Sequence, residues 1–96
     1  MNVDVEIYVS QFKTFFKENP DEFHNLIGKG KPEDFFYEVR VQAQKNFDEG
    51  EEIELTRKQL IDVVLRINDM GPDQSENVEK NLLPFQQHPM GKIWLN

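Results

Sequence analysis

The chain holds two histidines, four serine or threonine hydroxyls and two phenols that could take part in chemistry. His24 and His88 lie far apart in the sequence, and neither has a second histidine four residues away, the spacing that sets two ligands on one helix face. Nucleophilic catalysis needs a nucleophile, a base and a group that orients the base. The hydroxyls on offer are Ser10, Thr14, Thr56, Ser75, Tyr8 and Tyr37, and no G-x-S-x-G turn presents any of them. Thr56 is better explained as a helix cap, and Ser10 and Ser75 also suit that role.

Carboxylates are plentiful. The run "DEGEEIE" packs five acids into Asp48–Glu54. Neither it nor "NDMGPDQSE" has the alternating acids, central glycine and closing glutamate of a calcium loop. Asp48, Glu49, Glu51, Glu52 and Glu54 surround a helix stop, where a solvated loop is the expected role. "GKGK" at Gly28–Lys31 lacks the phosphate-loop spacing and reads as a turn. The sequence therefore predicts no enzyme, no cofactor and no metal site.

The chain has no cysteine, which removes disulfides, thiolate metal ligands and a cysteine nucleophile, and points to an intracellular, cytoplasmic protein. "MNVDVEIYVS" has no basic region and no long apolar run, so no signal peptide is expected. No apolar stretch is long enough to span a bilayer. Net charge is −7, and the eleven basic residues are scattered, so phosphate backbones and anionic membranes are poor partners. A basic protein surface suits this charge.

Something must position these groups, and the punctuation points to short helices. From about residue 4, Val5, Tyr8, Val9, Phe12 and Phe16 follow helical spacing. Val3, Val5, Ile7 and Val9 also alternate, leaving a short strand to Val9 as the fallback. "NPDEFHNLIG" predicts a second helix, with Asn19 as cap, Pro20 at its first position and Gly28 at its end. Phe23, Leu26 and Ile27 form its apolar face. Pro32 opens a third helix with the stripe Phe36, Val39, Ala43 and Phe47, and Gly50 stops it. "LTRKQLIDVVLRIND" carries the clearest signal: a Thr56/Gln59 capping box and a Leu55/Leu60 staple. Its apolar residues cover most of the circumference, as in a central buried helix. A weaker fifth helix spans "DQSENVEKNLLP", with Asp73 and Glu76 at capping-box spacing, Val78 and Leu82 on one face, and Pro84 as its terminator.

The expected fold is mainly α: a small single-domain bundle of four to five short helices over residues 1–83. An extended C-terminal arm, 84–96, then packs on the same or a neighbouring chain. "LTRKQLIDVV" superficially resembles the opening helix of HU-type bacterial DNA-bending proteins over about ten residues. The basic arms of that family are absent and the net charge has the opposite sign, so no role carries over. The chain as a whole resembles short accessory proteins of tailed phages, again with no residue role attached.

The arm holds Phe85, Met90, Ile93, Trp94 and Leu95, apolar residues that no helical period explains. They are the candidate partner-binding residues, since tryptophan is favoured at interface hot spots. The expected function is a small acidic protein-binding module: an adaptor, inhibitor or assembly factor. The alternative is a homo-oligomeric structural component with an exchanged arm.

Overall fold

Asn2 opens the first helix. Its Oδ1 accepts N–H bonds from Asp4 at 2.8 Å and Val5 at 3.3 Å, satisfying two donors that have no partner inside the helix. The computed structural model describes the backbone of residues 2–87 and the side chains of residues 2–83. The helices are α1 (Val3–Glu18), α2 (Pro20–Ile27), α3 (Pro32–Asp48), α4 (Arg57–Ile67) and α5 (Ser75–Gln87), with a 3-10 turn at Pro72–Gln74 before α5. There is no strand among the described residues, and the mainly α fold read from the sequence is the one adopted.

Residues 3–9 are helix because the helical face is the one that can be buried. Val5, Tyr8, Val9, Phe12 and Phe16 are all buried, and Phe15 joins them. Phe16 is a junction of the aromatic core: its ring lies 4.0 Å from that of Phe23 in a stacked arrangement and 5.5 Å from Phe35 edge-on. Phe12, Phe15 and Phe36 also meet it. Packing of α1 on α2 and α3 follows from these contacts.

Asn19 behaves differently from its expected role. Its side chain makes no cap bond to α2; Nδ2 instead donates to the Phe15 carbonyl at 2.9 Å, closing α1. Pro20 is left to start α2, with its φ already set for a helix.

The buried stripe of α3 also differs. Phe35, Val39, Ala43 and Asn46 face the core, Phe36 is half-buried, and Phe47 is 49% exposed. The 36-39-43-47 and 35-39-43-46 stripes share their middle and differ by one residue at each end. Phe35 is fully buried against Phe12, Phe16 and Phe23. The other end of the stripe goes to an amide because Gln59 is there to meet it.

α4 is central, touching α2, α3 and α5. Both halves of its capping box are present: Thr56 Oγ1 accepts from the Gln59 N–H at 3.1 Å, and Gln59 Oε1 accepts from the Thr56 N–H at 3.0 Å. Leu55 and Leu60 are both fully buried. The Gln59 amide also pairs reciprocally with buried Asn46, both bonds at 3.0 Å, and Gln42 Nε2 donates to Asn46 Oδ1 at 2.9 Å. One side chain thus caps α4 and ties it to α3. At the other end, Asn68 Nδ2 donates to the carbonyls of Ile27 and Val64, joining the ends of α2 and α4.

α3 and α4 end in the same way. In α3 the Gly50 N–H bonds to Phe47 O and the Glu51 N–H to Asn46 O; in α4 Asp69 bonds to Arg66 O and Met70 to Leu65 O. Each pair forms a Schellman motif, whose turning residue needs positive φ. That residue is Gly50 at φ 78° in α3 and Asp69 at φ 54° in α4, two residues before the Gly71–Pro72 stop expected from the sequence. Side chains with a Cβ are strained there, by roughly 1–2 kcal/mol. Asp69→Gly is therefore expected to stabilise the fold by about 1 kcal/mol, raising Tm by roughly 4–8 °C. Gly50→Ala is expected to lose a comparable amount for a purely backbone reason, since nothing lies within 4 Å of an added Cβ. Urea unfolding of the two variants would show opposite signs.

Asp73 lies in the 3-10 turn and does not cap α5. Val78 and Leu82 are buried on one face of α5, as expected. Pro84 does not stop that helix: the backbone stays helical to Gln87, so Phe85–Gln87 continue α5 where an extended arm was expected. Proline removes the N–H that Lys80 O would accept, and Lys80 lies on an exposed side where water can replace it. Residues 88–96, the rest of the expected arm, lie outside the described residues.

Candidate docking face

The residues singled out for chemistry are dispersed. His24 is exposed on α2, and His88 lies outside the described residues. Thr56 is the α4 cap. Thr14 donates to its own helix, to Ser10 O at 3.1 Å. Glu49, Glu51, Glu52 and Glu54 rim a polar recess of about 280 Å³ with Asn46, Thr56 and Gln59. Among the described residues, no three acids or histidines come together as a metal site would require.

What the fold does bring together is apolar surface. Seven large apolar side chains are exposed among the described residues: Val3, Ile7, Tyr37, Val41, Phe47, Met70 and Leu83. The first five lie on α1 and α3, which pack side by side. On α1 the inward positions take Val5, Val9, Phe12 and Phe16, so Val3, Ile7, Ser10 and Thr14, at spacings of four, three and four, must point away. On α3 the stripe Phe35–Val39–Ala43 faces in, and Tyr37, Val41 and Asp48 are exposed.

Two contacts set the register. Arg40 makes a two-pronged bond to Glu6, Nε to Oε1 at 2.7 Å and Nη2 to Oε2 at 3.2 Å, and Lys13 sits over the Phe36 ring at 5.5 Å. The helices are therefore antiparallel, so the end of α3 runs towards the start of α1. The hydrogen-bonded guanidinium holds the Glu6 carboxyl below its usual range. The Glu6–Arg40 bridge is the ridge between two shallow grooves. One, of about 400 Å³, runs along α1 past Val3, Ile7, Ser10, Gln11, Thr14 and Phe15. The other, of about 470 Å³, runs along α3 past Tyr37, Val41, Gln44 and Lys45. A third, of about 300 Å³, continues from Ile7 and Gln11 round α1 to Asp4, Tyr8, Ile53 and Glu54.

Of the partner-binding residues expected from the sequence, Phe85 has its backbone in the last turns of α5. Met90, Ile93, Trp94 and Leu95 lie outside the described residues. Sequence reasoning passed over Ile7, Tyr37 and Val41, although they were legible as the apolar residues left over once each helix had filled its core face. No helix among the described residues is long and apolar enough to cross a membrane. Comparison with protein-family models, with curated proteins and with solved structures finds no match.

Proposed function

We propose that the protein is a non-enzymatic binding module that docks a basic protein partner on the outer face of α3, centred on Tyr37 and Val41. The observation that supports this reading is the gathering of exposed large apolar residues on the α1–α3 layer. Scattered single residues of that kind are ordinary, whereas a contiguous patch beside a groove is characteristic of interaction surfaces. Charge favours a partner other than a second copy. Two bodies of net charge −7 repel, and the same field draws a basic partner in. The α3 groove is locally balanced, Arg40 and Lys45 against Asp48 and Glu49, so the whole molecule steers the encounter while Tyr37 and Val41 supply the contact.

The test is capture of partners from the source lysate by the full chain, set against the double variant Tyr37→Asp/Val41→Asp. Both residues are exposed, so the helical circular dichroism should survive. A basic protein held by the wild type should be lost from the variant, with an affinity drop of about thirtyfold or more if the pair is a hot spot of about 2 kcal/mol. The association rate should fall as salt rises. No specific partner, or one held equally by the variant, would sink the proposal. A dimer in light scattering that the variant dissolves would assign the face to a second copy instead.

A further inference from the structure

The α1 groove has a shape and a charge pattern of its own. We propose that it seats one amphipathic helix of a partner protein, apolar along the face that enters and basic along one edge. The inference goes beyond the α3 reading and does not rest on it, since either groove can be filled with the other empty.

The first argument is spacing. Val3, Ile7, Ser10 and Thr14 line the groove at intervals of four, three and four. That is the seam of helices that pack knobs into holes. All four residues are exposed, Val3 at 71% and Ile7 at 53%, so no described element covers the seam. It rises about 17 Å, roughly three turns, before Lys17 takes the next seam position and ends it. The small side chains of Ser10 and Thr14 leave room beside Phe15 for a large apolar knob. The Thr14 hydroxyl already donates to Ser10 O at 3.1 Å, so α1 answers that donor itself. An added strand would have nothing to pair with, because there is no sheet among the described residues.

The second argument is charge along the two edges of the seam. One edge carries Glu6 and Lys13, and both are engaged by α3: Glu6 by Arg40 at 2.7 Å, and Lys13 by the Phe36 ring. The other edge carries Asp4, Gln11 and Glu18, seven residues apart. Asp4 and Glu18 make no ion pair among the described residues, and Glu54 adds a carboxylate in the adjoining groove. Neither groove is lined by a lysine or arginine among the described residues. Glu18 also stands in the last turn of α1, where the helix end is itself negative. Its own helix repels it there, and an outside cation relieves that repulsion.

The occupant must therefore bring large apolar side chains to the seam and lysine or arginine to the free edge. That arrangement satisfies burial and charge together. A second copy of α1 does not, because it would add its own carboxylates to the same edge.

The test uses the full chain and a designed probe. The probe is a fluorescein-labelled peptide of about 18 residues, long enough to take up helix, with leucine at its seam positions and arginine along one edge. Its anisotropy should rise on titration with the protein, and less so as salt is added. A peptide with glutamate along that edge should bind at least about tenfold more weakly. Ser10→Arg should abolish binding by filling the notch, while Tyr37→Asp/Val41→Asp should leave it unchanged. Gln11→Lys/Glu18→Lys should reverse the preference, so that the glutamate-edged peptide binds better, a result that no folding failure can mimic. Absence of binding would overturn the proposal, as would equal binding of a scrambled peptide of the same composition. A preference that survives the charge reversal would also overturn it. So would binding lost with Tyr37→Asp/Val41→Asp and kept with Ser10→Arg, which would move the peptide to α3. A dimer in light scattering that Ser10→Arg dissolves would give the seam to a second copy instead.

Discussion

Phe16→Ala is expected to destabilise the fold by about 3–5 kcal/mol, the range for truncating a buried aromatic side chain. Phe16 is 3% exposed and joins three helices through ring contacts with Phe12 on α1, Phe23 on α2, and Phe35 and Phe36 on α3. The surrounding rings cannot collapse into the gap without giving up their own edge-to-face geometry, so the cavity would persist. A domain of this size has roughly 5–15 kcal/mol of stability in total, and Tm should fall by on the order of 20 °C. Phe47→Ala is the matched control. Phe47 is half exposed, so its loss should change stability by no more than about 0.5 kcal/mol. Thermal unfolding of the two variants separates the two stripes of α3: equal losses would mean that Phe47 belongs to the core.

That pair of residues shows where the sequence was legible. α4 could be read almost completely, because a capping box, a staple and an apolar circumference all agree. α3 could not, because 36-39-43-47 and 35-39-43-46 are both good helical stripes and hydrophobicity prefers the one ending in phenylalanine. What decides between them is the Gln59 amide, thirteen residues from Asn46 in sequence and 3.0 Å away in space. Such a pairing has no local signature. Asn19 is similar: an asparagine between two helices can cap the second or close the first, and the choice depends on which backbone groups lie within reach.

The docking face had a signal that was present but read otherwise. Val3, Val5, Ile7 and Val9 alternate like a strand because α1 is apolar on two sides, Val5 and Val9 inward, Val3 and Ile7 outward. A helix whose apolar residues exceed what one core face can take has surface to offer, and the alternation is the mark of that surplus.

Tyr8→Phe is expected to cost about 1–3 kcal/mol near neutral pH, because it leaves the buried Leu55 N–H without its acceptor. The bond ties α1 to the residue that leads into α4, so its loss loosens two elements at once. The phenol also makes stability depend on pH. Burial raises its pKa well above the ordinary phenol value; the Leu55 N–H opposes that rise and the nearby Glu54 charge adds to it. An unfolded tyrosine loses its proton near pH 10, whereas the folded Tyr8 keeps it. Above pH 10 the folded state therefore binds more protons than the unfolded one, and stability must fall as pH rises. The loss from this one group reaches about 1.4 kcal/mol by pH 11, while the phenylalanine variant has no proton there to lose. Urea unfolding at pH 7 and pH 11 should show the gap between wild type and Tyr8→Phe narrowing by about that amount. A gap that stays constant would mean that Tyr8 titrates in the folded protein as it does in the unfolded chain, and is not the buried acceptor that holds Leu55 to α1.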